Sequence, residues 1–140
     1  MTRPDGAQRP LPEITPLTEP FWAGARDRVL LLQRCARCRR FRFPPEHGCG
    51  YCGSPEFTWE RASGRATLYS WTVAHSPHLP FFMERLPWPV AVVQLEEGPR
   101  MVTNLVGVPV ERYEFGMPLV VDFLEVDSEI TLPVFRPADS

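Results

Sequence analysis

Four cysteines, Cys35, Cys38, Cys49 and Cys52, are the residues of this chain best suited to chemistry. They form two Cys-x2-Cys pairs with ten residues between them. Each pair can close into a tight knuckle. Two facing knuckles present four thiolates as a tetrahedron at about 2.3 Å from a zinc ion. Metal binding deprotonates all four thiols, and its free energy becomes folding energy for a segment too small to build a core. One zinc per chain is therefore predicted. Its role is structural, because four sulfur ligands leave no open position for water or substrate. Two disulfides would suit a secreted chain, and a thioredoxin-like redox pair would need a single Cys-x2-Cys in a βαβ setting. Spacing alone leaves iron in a rubredoxin-like site open. His47 lies close to the second pair but would displace a cysteine from a complete set, so it is read as a bystander. Gly53 follows the second pair, where a positive φ is expected, and Arg39 stands at the matching place after the first. A positive φ at Arg39 would cost about 1 kcal/mol.

Other chemistry is sparse. All 15 basic residues are arginine, which excludes a Schiff-base or P-loop lysine. There is no Gly-x-Ser-x-Gly elbow, phosphate-cradling glycine loop or His-Glu-x-x-His. The three histidines are His47, His75 and His78, and the last two flank Ser76-Pro77 in an expected loop. No catalytic residue is assigned. Arg34, Arg37, Arg39, Arg40 and Arg42 crowd the first cysteine pair. A zinc tetrathiolate carries a formal charge of about −2, so five arginines leave the region locally positive. Two uses fit: charge compensation with a solvated surface, or a phosphate-binding patch with Arg37 and Arg40 as contacts.

These residues need elements to position them. Thr18-Glu19-Pro20 reads as a helix start, with Phe21, Trp22 and Ala25 on one side of a short helix to about Asp27. Val29 to Leu32 leads as a strand into the first cysteine pair. From Ser63 the texture is all-β. Strands are expected near Thr67–Ala74, Val90–Leu95, Met101–Val106, Leu119–Phe123 and Ile130–Phe135. Five short strands must hide their edges, and a small barrel of the OB type does so, with Val92, Val121 and Phe123 in its interior. Val108 to Phe115 leaves room for barely one helical turn. The loop Ser76 to Trp88 holds Phe81 and Phe82 among six large apolar residues. It either covers the barrel mouth or meets an acyl chain or partner. The expected divisions are a flexible tail at 1–17, a helix at 18–28, the zinc ribbon at 29–60, the barrel at 61–137 and a short tail at 138–140.

The balance of 44% hydrophobic and 23% charged residues is that of a globular protein. No apolar run approaches a membrane span, and Met1 to Pro12 lacks the apolar stretch of a secretory signal, so a cytoplasmic protein is expected. A net charge of −2 and the absence of lysine argue against nucleic-acid binding.

The order of motifs resembles a known family. A helix with Phe21-Trp22 precedes Leu32-Gln33-Arg34-Cys35-x-x-Cys38, Phe43-Pro44-Pro45 and Cys49-x-x-Cys52-Gly53-Ser54. Ser63-Gly64-Arg65 follows, then Pro89 to Gly98, Gly116-Met117-Pro118 and Pro133 to Pro137. From Thr18 to Pro137 this is similar to the DUF35 family of zinc-ribbon plus OB-fold, acyl-CoA-associated proteins. The resemblance implies a mainly β fold: an N-terminal helix, a rubredoxin-like zinc ribbon and a five-stranded OB barrel. It also implies a non-catalytic accessory subunit of a thiolase-like or lipid-transfer-protein-type aldolase acting on acyl-CoA. Coenzyme A would meet the arginines near the ribbon. Phe21 and Trp22 would dock on the partner or on a second copy of the chain. Two other classes are weighed against this reading: a single-stranded nucleic-acid binder stacking bases on Tyr69 and Trp71, and an acyl-CoA hydratase or hydrolase in its own right.

Overall fold

The computed structural model describes residues 9–76 and 79–138. Residues 1–8 of the expected tail, Pro77, His78 and the last two residues lie outside that description. The chain runs through α1 (Glu19–Arg26), β1 (Leu31–Cys35), β2 (Phe41–Arg42), β3 (Phe57–Arg61) and β4 (Arg65–Ala74). It continues through α2 (Pro80–Met83), β5 (Trp88–Leu95), β6 (Arg100–Thr103), a single 3-10 turn at Val110–Arg112, β7 (Pro118–Glu125) and β8 (Thr131–Pro137).

Two antiparallel sheets result. The ribbon sheet has the order β2-β1-β3, and the second has the order β6-β5-β4-β7-β8. The five-stranded sheet curls until its ends meet. Leu105 forms a parallel bridge with Phe135, the Phe135 N–H donates to the Asn104 carbonyl at 3.1 Å, and the Val106 N–H donates to the Phe135 carbonyl at 2.8 Å. That contact, made just beyond the end of β6, draws the two ends of the sheet together into the partly open barrel of an OB fold. A bulge at Tyr69 between Leu68 and Ser70 lets β4 bend around the barrel.

Among the described residues one apolar core joins α1, the base of the ribbon and the barrel. Phe21, Leu30 and Leu32 join Leu68, Val93, Leu95, Leu119 and Phe135 in a single buried cluster. Here the expectation for the interior needs correcting at one position. Ala91, Val93 and Leu95 face inward, whereas Val92 pairs with Val102 on the outer face, where Val102 is 68% exposed. A continuously apolar strand does not reveal which face is the inner one. Val121 and Phe123 do pack against the core. The helix start differs too. Thr18 makes no side-chain cap; instead the Thr15 N–H donates to Thr18 Oγ1 and the Thr18 N–H donates to Thr15 Oγ1, at 3.0 and 3.2 Å.

The ribbon meets the barrel at Ser63-Gly64-Arg65. Gly64 has φ +85° and lies so close to Val121 that an added Cβ would come within 2.8 Å of Val121 Cγ1. The Ser63 N–H donates to Glu97 Oε2, and Arg65 forms a two-pronged pair with Glu96 at 2.8 and 2.7 Å. The joint is thereby tied to the turn between β5 and β6.

Candidate metal centre

The two cysteine knuckles have the same main-chain design. In the first, the Arg39 N–H donates to the Cys35 carbonyl and the Cys35 N–H donates to the Arg40 carbonyl, at 3.0 and 2.9 Å. In the second, the Gly53 N–H donates to the Cys49 carbonyl and the Cys49 N–H donates to the Ser54 carbonyl, both at 2.9 Å. The fourth residue after each leading cysteine turns back with positive φ, +69° at Arg39 and +80° at Gly53. β1 supplies Cys35 at its end, and β3, paired with β1 from Leu31↔Arg61 to Cys35↔Phe57, carries the chain away from the second knuckle.

The four sulfurs lie within 4.8 Å of one another. Cys35 Sγ is 3.6 Å from Cys52 Sγ, and Cys38 Sγ is 3.6 Å from Cys49 Sγ. A zinc tetrathiolate with bonds of about 2.3 Å has sulfur–sulfur edges of about 3.8 Å, whereas a disulfide needs about 2.0 Å. The arrangement fits one four-coordinate zinc. Main-chain N–H groups of Cys38, Tyr51 and Cys52 point at the sulfurs from 3.3 to 3.5 Å. The Cys38 N–H is the main reason the Cys35 thiol is pulled down to about 6, against the opposing effect of burial. The Cys52 and then the Tyr51 N–H lower the Cys49 thiol. At Cys38 the Arg40 N–H also pulls downward, but burial and the three neighbouring thiols outweigh it and push the group up to about 11. Four sulfurs this close cannot all be anions without a cation between them, and zinc would supply that charge.

The five arginines divide. Arg34 reaches Glu60 at 3.3 Å, donates to the Arg39 carbonyl at 2.7 Å and stacks over Phe41. Arg39 pairs with Glu60 at 3.5 Å, and Arg42 binds Gln33 and Glu46. Burial pushes the Glu60 carboxyl up, but hydrogen bonds from Thr58 and Arg34 and both guanidinium charges hold it below its ordinary value. Arg37 and Arg40 are exposed. Arg40 lies 4.1 Å above the ring of Tyr51, itself exposed at the tip of the second knuckle.

Comparison with known proteins gives the site its setting. Residues 22–58 match the family described as "ChsH2, rubredoxin-like zinc ribbon domain", and residues 59–124 match "ChsH2, C-terminal OB-fold domain". A protein of Pyrococcus furiosus described as a "DUF35 domain-containing scaffold protein" is 31% identical over 97 residues, which are 69% of this chain and 71% of that one. The chain belongs to the DUF35 family. A "Probable enoyl-CoA hydratase alpha subunit" of Thermomonospora curvata is 47% identical over 132 residues. That match takes in 94% of this DUF35 chain but only 41% of the relative's length. The solved structure titled "Ltp2-ChsH2(DUF35) aldolase" contains a chain 46% identical, with a TM-score of 0.81, and the match covers 91% of this chain and 99% of that one.

The remaining candidate contacts of the DUF35 chain are not gathered into one site. Phe21 is 4% exposed, its ring 5.5 Å from Phe43 and 4.9 Å from Trp22, so it packs inside this chain, while Trp22 is half-buried. Phe81 is likewise 4% exposed, with the Arg85 and Arg9 guanidinium groups 3.8 and 5.0 Å from its ring. Phe82 is half-buried against Trp88 at 5.0 Å, beside exposed Leu79 and Met83. Two adjoining grooves of about 430 Å³ each run along the ribbon and share Arg40, Phe41, Tyr51 and Pro99. The first also takes in Arg34, Arg39 and Glu97. Sequence reasoning missed Gln33, Glu60 and Glu97. Gln33 stands in the Leu32-Gln33-Arg34-Cys35 run and Glu97 near the end of the Pro89 to Gly98 run, and neither run assigns them a role. Among the described residues no helix is long and apolar enough to cross a membrane.

Proposed function

We propose that this chain is a non-catalytic accessory subunit that docks on a thiolase-like or lipid-transfer-protein-type aldolase acting on acyl-CoA. One observation carries the reading. The chain overlays nearly the whole of a 46% identical chain whose structure is titled as an aldolase of two named components, Ltp2 and ChsH2(DUF35). The chemistry of the chain agrees. Its only metal-ligating cluster among the described residues is a complete sulfur set, which cannot activate water. Arg37 and Arg40, exposed beside the ribbon grooves, are the proposed contacts for the phosphates of coenzyme A. Trp22, backed by buried Phe21, and Phe82, backed by buried Phe81, are the proposed aromatic contacts with the partner. The cytoplasm, where thiolates stay reduced, is the proposed compartment.

Co-expression with the thiolase-like subunit of the same organism tests the proposal. The expected outcome is a stable complex that turns over acyl-CoA, with no turnover by this chain alone. Arg37→Glu with Arg40→Glu should raise KM for acyl-CoA while the complex stays assembled. Turnover by the isolated chain, or failure of the two proteins to associate, would overturn the reading.

A further inference from the structure

We propose that Gln33 is a positioning residue for the metal site: from β1 it clamps the loop that leads into the second knuckle, and so sets zinc affinity from outside the ligand set. Gln33 is only 1% exposed, although it is an amide in a strand of a small ribbon. Its Oε1 accepts two hydrogen bonds, from Arg42 Nε and from the Glu46 N–H, both at 2.8 Å. Two donors on one atom fix that end of the carboxamide as the oxygen. Arg42 completes the clamp by donating from Nη2 to the Glu46 carbonyl at 3.0 Å, and its guanidinium is braced 4.8 Å from the ring of Phe57.

Glu46 is thus tied through both its N–H and its C=O, three residues before Cys49. The loop has little else to hold it. Among the described residues, 44–48 make no main-chain to main-chain hydrogen bond, and Pro44 and Pro45 have no N–H to offer. Gln33 Nε2 and Arg42 Nη1 are meanwhile buried without a partner. An unpaired buried donor is a cost that an apolar residue of the same length would remove. Packing alone therefore favours methionine at position 33. The amide is useful for the two bonds it accepts, and both serve the approach to the second knuckle. Groups that orient metal ligands from behind typically change metal affinity about 10- to 100-fold when lost.

The experiment is zinc affinity of the full chain by chelator competition, with cobalt substitution to report the tetrathiolate geometry and thermal unfolding of the zinc-saturated chain as a separate readout. Gln33→Met should weaken zinc binding about 10-fold or more. Its cobalt spectrum at saturation should match that of the wild type, and the midpoint of the zinc-saturated chain should fall by no more than the weaker zinc binding itself accounts for. Gln33→Glu keeps both accepting positions and should restore affinity to within about threefold. Arg42→Met should behave like Gln33→Met, and the double variant should be little worse than either single, because the two residues act as one unit. Wild-type affinity in Gln33→Met would overturn the proposal. So would a Gln33→Met chain that no longer folds at saturating zinc, since that would make Gln33 a core residue. Additive losses in the double variant would overturn the shared clamp.

Discussion

The ribbon has strands of two to five residues, two knuckles and a long irregular loop, whereas the barrel has five strands of four to ten residues in one curled sheet whose ends are joined by a single bridge. The barrel encloses Leu68, Val93, Leu95, Leu119 and Phe135, each at most 2% exposed. Beyond its base, where Leu30 and Leu32 share that core, the ribbon buries mainly Cys35, Cys49 and the polar side chains Gln33 and Ser54. A segment that cannot exclude water from enough apolar surface needs another source of folding energy, and a tetrathiolate metal site is one. The two halves therefore respond to different insults, the barrel to cavities and the ribbon to loss of metal or of knuckle geometry.

The largest expected effect is on the barrel side. Phe135 is fully buried on β8, and its main chain helps to close the barrel against Asn104 and Val106. Phe135→Ala should cost about 3–5 kcal/mol in chemical denaturation, with the zinc content of the folded fraction unchanged. Loss of zinc at the same denaturant concentration in every Phe135→Ala sample would mean that the halves fold as one unit.

A smaller change sharpens the comparison within the ribbon. Its knuckles are alike except at the residue with positive φ, Arg39 in one and Gly53 in the other. Arg39→Gly should relieve about 1 kcal/mol of backbone strain. The exposed Arg39–Glu60 pair that it removes is worth less. The midpoint of the zinc-loaded chain should rise by roughly 2–4 °C, and Gly53→Ala should lower it. A fall in both variants would show that the Arg39 side chain matters more than its backbone.

How much was legible in the sequence follows the same division. Cysteine spacing singled out the four residues whose sulfurs the fold gathers within 4.8 Å, because a tetrahedral site built from two knuckles has a recognisable spacing. Barrel strands were located to within about two residues at most ends, since alternation and turn residues mark them. The third was drawn too long: β6 stops at Thr103, and beyond it Asn104 holds Pro89 of β5 through its side chain alone while its carbonyl accepts from the Phe135 N–H. That change of partner depends on contacts with β8, about thirty residues further on, which no local pattern records. The outward orientation of Val92 was hidden for a related reason, since an apolar run has no period from which to read a face. Burial of Phe21 and Phe81 was equally illegible, because an aromatic on a short helix looks the same whether it docks on its own chain or on another. The Gln33 clamp lay furthest from view: it joins β1 to a loop 13 residues away through a side chain that composition would place at the surface.

Hydrogen exchange of the intact chain before and after removal of zinc by a chelator tests the central claim most directly, with metal content measured on the same samples. The account predicts one zinc per chain. On its removal, amide protection should be lost between Cys35 and Glu56 while Ala66–Leu68, Ala91–Leu95 and Val134–Phe135 stay protected. Protection that persists through the knuckles of the metal-free chain, or a barrel that opens at the same chelator concentration as the ribbon, would contradict it.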